Sequence, residues 1–271
     1  LIITLIHFSF KYISALSSGY LLTAVNLLVQ IILTPFYLEH LGSEKFGELM
    51  ILLNFINFAA IGITWMSGGL VRIIGEVWVR NDLNGFRQVF AVGKYVFTVY
   101  AILVATASSA LWWYLQGGVI NNYLLKSVLL AGLYMILNYE ALPERQAFVG
   151  SNRQSTGNYI ECLRVFVFAL LVYYLLPRFG TMTIIWIALI AGVLLQRIVT
   201  GLYWNREVQG IGWQRYRATM LPFLKRLAGK QGAGYISFGA LLLVLQADSL
   251  IIGYLGGAEM VTKFILLWKI P

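Results

Sequence analysis

Between residues 13 and 255 the chain is a succession of apolar runs about twenty residues long, joined by polar links that are mostly short. A helix rises about 1.5 Å per residue, so each run can cross the roughly 30 Å hydrocarbon core of a bilayer. Backbone N–H and C=O groups in that medium must find partners within the protein, which restricts spanning segments to helices and closed barrels. A barrel strand would alternate apolar and polar residues, and stretches such as VFVFALLVYYLL do not. Only 11% of residues are charged and 59% are hydrophobic, with a mean hydropathy of +0.77, whereas a soluble domain carries about 25% charged residues. The expected fold is all-α, a polytopic transmembrane helix bundle.

Seven full spans are predicted: Ile13 to Leu38, Gly47 to Leu70, Ala91 to Leu115, Tyr123 to Leu142, Tyr159 to Leu176, Met182 to Trp204 and Gly234 to Leu255. An eighth begins near Glu259. Fifteen of the twenty Lys and Arg residues fall at one set of span ends, whereas Lys45, Lys126 and Arg178 fall at the other. Cations accumulate in short cytoplasmic loops, so the amino terminus is expected on the cytoplasmic side. The same distribution accounts for the +9 net charge without a nucleic-acid partner, because the cations are divided among loops rather than gathered in one patch. Residues 205–232 place Trp213, Tyr216, Met220, Leu221, Leu224 and Leu227 at roughly helical spacing among cations, a pattern suited to a helix lying on the anionic leaflet. The single cysteine, Cys162, excludes an internal disulfide. Both ends read as cut, and LIITLIHFSF lacks a clear small-residue cleavage site, so no removed signal peptide is expected.

Two turns share a pattern. Leu41-Gly42-Ser43-Glu44 and Leu255-Gly256-Gly257-Ala258-Glu259 each close one apolar helix, supply an acidic residue and open another helix. Glycine suits a left-handed cap, and glutamate suits the positive start of a helix. The second copy follows six complete spans, as two parallel six-helix lobes would require. The expected division is therefore a first lobe over residues 1–232, including the 205–232 linker, and the truncated opening of a second, pseudosymmetric lobe over 233–271.

The stretch LLTAVNLLVQIILTPFYLEHLGSEKFGELMILLNFINFAAIGI, then GGLVRIIGEVWVRNDLNGFRQ and later LQADSLIIGYLGG, resembles the Wzx-type polysaccharide flippases of the multidrug/oligosaccharidyl-lipid/polysaccharide exporter superfamily. The resemblance rests on the Leu-Gly-x-x-x-Phe-Gly turn at 41–47, the Arg and Glu after the second span, and Ala-Asp-x-Leu-Ile-Ile-Gly in the seventh. It implies a bacterial inner-membrane protein with two lobes around a cavity. Its substrate would be undecaprenyl-pyrophosphate-linked oligosaccharide, flipped by alternating access for O-antigen, capsule or exopolysaccharide, with polysaccharide assembly proteins as possible partners and H⁺ or Na⁺ as a possible coupling ion. No cofactor or metal is expected, and the protein is not expected to be an enzyme.

A lipid-linked sugar demands hydrogen-bonding groups for its hydroxyls and cations for its pyrophosphate. For the first, Asn26 and Gln30 lie four apart and Asn54 and Asn57 three apart, each pair on one helix face; the same amides would also serve as bonds between helices. For the second, Arg72, Lys263 and Lys269 are candidates, although Arg72 also fits an orientation charge and Lys263 lies four residues after Glu259, within pairing distance. Asp248 sits in an apolar run where a charge costs roughly 2.5–3.5 kcal/mol. It reads either as a coupling carboxylate or as a structural or gating partner for a cation such as Lys263. Glu161 and Arg164, three apart, are expected to pair.

The nearest rival is a cation-coupled multidrug exporter, which would often carry a carboxylate in the first span, where this chain has Asn26 and Gln30. A peptidoglycan-precursor flippase would be expected to bring more cations to the first two spans. A membrane-embedded glycan polymerase or glycosyltransferase would need a sizeable loop for its catalytic residues, and the outer loops here are short. Histidine occurs only at 7 and 40, and neither metal-ligand spacing nor a phosphate-binding glycine loop is present.

Overall fold

The computed structural model describes residues 2–115, 122–208, 225, 248 and 251–267. Among these residues there is no strand, and almost everything is helical. The helices are α1 (Ile2–Val79), α2 (Leu83–Leu115), α3 (Asn122–Glu140), α4 (Leu142–Gly150), α5 (Gln154–Phe179) and α6 (Met182–Val208), followed by α7 over residues 251–267. Among the described residues, five segments are long and apolar enough to cross a membrane. The chain is an all-α transmembrane helix bundle.

The first of those segments, Tyr12–Asn57, has 46 residues, roughly twice the length one crossing requires. It contains a reversal at Gly42, whose φ of 78° and ψ of 167° interrupt an otherwise helical run. That backbone region is essentially closed to residues bearing a Cβ. The first arm of α1, residues 2–41, runs parallel to α5: Ser18 meets Asn158, Phe36 stacks on Tyr173 at 5.2 Å, and the His40 carbonyl lies beside Gly180. The second arm, residues 43–79, runs parallel to α3 and α4, with Tyr139 donating to the Ile56 carbonyl at 2.7 Å and Gly150 lying against Val71 and Ile74. Since α6 runs antiparallel to α5 and parallel to α3 and α4, the two arms of α1 are antiparallel.

Most of the predicted spans are recovered, with longer limits at one end. The second arm continues to Val79 and α2 begins at Leu83, so these helices extend well beyond the apolar windows toward the basic links. The fourth span breaks at Ala141 and resumes as α4, with Pro143 in its first turn, where the missing N–H costs no helical bond. Residues 209–224 and 226–247 contain most of the expected amphipathic linker and seventh span, and these lie outside the described residues.

One end of the bundle gathers the helix termini that carry Arg80, Arg87, Arg153 and Arg206, and is called the basic end here. It is closed by an aromatic cluster in which Trp204 packs against Phe148 at 4.9 Å, Phe86 at 5.4 Å and Trp78 at 6.2 Å. Arg153 stacks over Trp78 and pairs with Glu207 at 2.8 Å. That carboxylate, with the Tyr203 hydroxyl, holds the guanidinium above its ordinary pKa.

The opposite end carries the turns at Gly42 and Gly180. There α7 lies across the start of the second arm. Thr262 donates to the Ser43 carbonyl at 2.6 Å, and a Cβ on Gly47 would fall 1.8 Å from the Ala258 carbonyl oxygen. Gly257 adopts a φ of 77°, matching the 78° of Gly42. Gly257 thus shares the positive φ of Gly42, one residue later than the Leu-Gly alignment places it.

Candidate functional site: a polar flank on the first arm

The first arm presents three faces. Ser18, Leu22, Val25, Val29, Leu33 and Phe36 follow one another at helical spacing and turn toward the bundle. Ile13, Leu21, Leu28, Ile31 and Ile32 form an exposed apolar face, as contact with lipid tails requires. Between these two lies a third face, with Tyr12, Tyr20, Thr23, Asn26, Gln30 and Thr34 at positions that share one flank of the helix. Tyr20 is 70% exposed, and Thr23 and Gln30 are exposed as well. Polar groups at membrane depth face a water-filled cavity or a partner. This flank is therefore the candidate polar surface of the first arm.

Toward the basic end the flank opens into a cleft of about 460 Å³, lined by Tyr12, Leu16, Tyr20 and Thr23 from the first arm and by Asn152 and Gln154 from the turn before α5. The turn takes its shape from Asn152 in the left-handed region, φ 58°, a conformation asparagine tolerates better than most residues. Asn158 then donates to the Ser18 hydroxyl at 3.0 Å, fixing the first arm against α5 just behind the cleft.

Hydrogen bonding along the flank has a definite polarity. Thr23 donates to the Gly19 carbonyl, Asn26 to that of Leu22 and Thr34 to that of Gln30, at 3.0, 2.9 and 2.7 Å. The two threonine hydroxyls and one of the two Asn26 N–H groups are thereby satisfied within their own helix. The hydroxyl oxygens and the Asn26 carbonyl keep acceptor capacity, which suits a ligand rich in O–H groups.

The other predicted residues fall elsewhere. Asn54 is buried, with its amide nitrogen unpartnered, while Asn57 is exposed, so the expected common face divides between core and surface. Arg72 is exposed and lies 3.6 Å from Glu76. Lys263 pairs with Glu259 at 3.1 Å, four residues earlier, as the spacing suggested. Asp248 is exposed, and Lys269 lies outside the described residues. Among the described candidates, Asn26 and Gln30 belong to the polar flank, which Tyr12, Tyr20, Thr23 and Thr34 complete; the helical period, applied to hydroxyls as well as amides, would have found all four.

The sequence reading also missed a buried ionic network. Lys94 on α2 pairs with Glu144 on α4 at 2.5 Å, and Thr200 on α6 donates to the same carboxylate. Arg197 on α6 pairs with Glu140 on α3 at 2.8 Å. Glu161 on α5 meets Arg164, as expected, and accepts from Gln196 on α6 at 2.7 Å, while Arg145 holds Asn138 and stands 3.9 Å from Glu161. Each carboxylate has a cation, so the network reads as a clasp joining α2 to α6. Among the described residues no group of His, Cys, Asp or Glu could hold a metal ion.

No family model matches the chain, and no curated protein or solved structure matches it either.

Proposed function

We propose that the protein is a lobe of a membrane transporter that moves a lipid-linked oligosaccharide across the bilayer, of the Wzx flippase kind that its sequence resembles. The observation that carries this reading is the exposed polar flank of the first arm, continuous with a cleft at the basic end. A headgroup bearing many hydroxyls needs acceptors along its route, and its polyprenyl tail needs only adjoining lipid. The flank supplies the acceptors, and the exposed apolar face beside it supplies the contact with lipid.

In this proposal the two lobes rock about a midplane cavity, the second lobe beginning near α7, in a bacterial inner membrane with the basic end cytoplasmic. Asp248 is the proposed coupling or gating carboxylate. Arg72 and Lys269 are proposed to handle the pyrophosphate, and H⁺ or Na⁺ the coupling.

The test uses the full-length gene in a strain deleted for its own flippase. Surface polysaccharide is measured for wild type, Gln30→Leu and Asp248→Asn, with membrane abundance followed by blot. Restoration by wild type and loss in Gln30→Leu at normal abundance is expected. Failure to restore polymer, together with lowered drug accumulation, would replace this reading with a cation-coupled exporter.

A further inference from the structure

We infer that the buried ionic network holds a binding site for one monovalent inorganic anion, of the chloride class, between Arg145 of α4 and Arg164 of α5. The inference stands apart from the transport reading, because it rests on the charge balance of the bundle interior and not on what the protein carries.

Every carboxylate in the network has a cation, but the converse fails. Lys94 and Arg197 are matched one to one, by Glu144 at 2.5 Å and by Glu140 at 2.8 Å. Arg145 and Arg164 must share Glu161, and both turn to the same oxygen, Oε1. Arg164 is in direct contact with that oxygen, whereas Arg145 stands 3.9 Å away. The other oxygen, Oε2, accepts from Gln196 at 2.7 Å, so the carboxylate is committed on both sides. All eleven Asp and Glu residues of the chain are among the described residues, and none besides Glu161 pairs with either guanidinium. Four cations therefore meet three carboxylates, which leaves one unit of positive charge in the network.

Hydrogen bonding locates the excess. Arg145 reaches only neutral acceptors at close range: its Nη2 donates to the backbone carbonyl and the side-chain oxygen of Asn138, at 2.7 and 2.6 Å. The Nε–H groups of Arg145 and Arg164 are both buried without a hydrogen-bond partner. Both residues lie within apolar spans, Arg164 ten residues into α5 and so about 15 Å along it. A guanidinium does not discharge by losing its proton, and a charge left without a counter-charge in such a place is costly. A bound anion supplies the missing charge and an acceptor for the two unused donors at once. The balance also sets its class, since one unit is missing: a monovalent ion neutralises the site, whereas a phosphate or diphosphate would overshoot. An ion can reach it, because the side chains of Arg145 and Arg164 keep 24% and 18% of their surface exposed.

The full-length protein, purified in detergent, is melted in sodium chloride and in sodium gluconate at equal ionic strength. Chloride is expected to raise the apparent melting temperature saturably, by about 2–4 °C, and the wild-type protein is expected to broaden the chloride NMR line. Arg145→Gln makes the pairing one to one and should abolish the chloride response. Glu161→Gln removes the shared carboxylate and should enlarge it. Arg178→Gln, outside the network where Arg178 lies over the Tyr174 ring, should leave it unchanged. A purely structural Arg145 would instead lower the melting temperature of Arg145→Gln equally in both salts and leave the chloride response intact. Equal melting of wild type in the two salts, an undiminished response in Arg145→Gln, or stronger stabilisation by phosphate than by chloride at equal concentration overturns the inference. Should Arg145→Gln and Glu161→Gln both fail to fold, the wild-type line decides: saturable broadening that bromide displaces supports the site, and its absence overturns it.

Discussion

Glu144 illustrates how a single residue can join elements that sequence spacing would never connect. Lys94 stands fifty positions before it and Thr200 fifty-six after, yet both reach its carboxylate. Removing one member of a buried pair leaves the other uncompensated, at a cost of about 3–5 kcal/mol. Glu144→Ala should therefore lower the apparent melting temperature of the detergent-solubilised protein sharply. Replacing both partners, Glu144→Met with Lys94→Met, should recover most of the loss, as apolar side chains can substitute for a buried pair. The network was illegible in the sequence because Lys94, Arg145 and Arg197 satisfy the orientation rule equally well as loop charges. The Glu161–Arg164 pair was legible because its partners lie three apart on one helix. Asn54 and Asn57 show the limit of that rule, since three residues still leave about 60° between side chains, enough to put one in the core and the other on the surface.

At the scale of elements, the apolar runs defined the spans because only helices and closed barrels satisfy backbone polar groups in lipid, and these runs lack a barrel's alternation. What they left open was how a helix end is shaped. The reversal at Gly42 falls on one residue in a Gly-only conformation, so Gly42→Ala should destabilise by about 1–3 kcal/mol, measurable as faster proteolysis at the turn. The three faces of the first arm give a sharper test. In a Cys162→Ser background, Thr23→Cys and Gln30→Cys should react with a membrane-impermeant maleimide applied to inverted vesicles, while Leu28→Cys and Ile31→Cys should not. Equal labelling on both faces would remove the distinction between a wet flank and a lipid-facing one. The flank itself was half visible in the sequence: amides drew attention to Asn26 and Gln30, but threonine and tyrosine in an apolar helix resemble ordinary packing until their exposure is known.

For the whole molecule, the alternation of directions places the turns at Gly42 and Gly180 together and the turns at Asn81 and Asn152 at the other end. Phosphatase reporters fused after residues 43 and 180 should be active, and those fused after 81 and 152 inactive, if the basic end is cytoplasmic; the reverse pattern would invert the orientation. The contact between α7 and the second arm has a mechanical consequence. Gly47 and Ala258 touch backbone to backbone, with bulky side chains at Phe46 and Glu48 on either side of the glycine. A seat that close has no room for sliding, because a shift by one residue would drive a carbonyl into a side chain. The second arm and α7 are thus seated like a key in its slot, and a change between them is expected as a discrete step rather than a gradual slide.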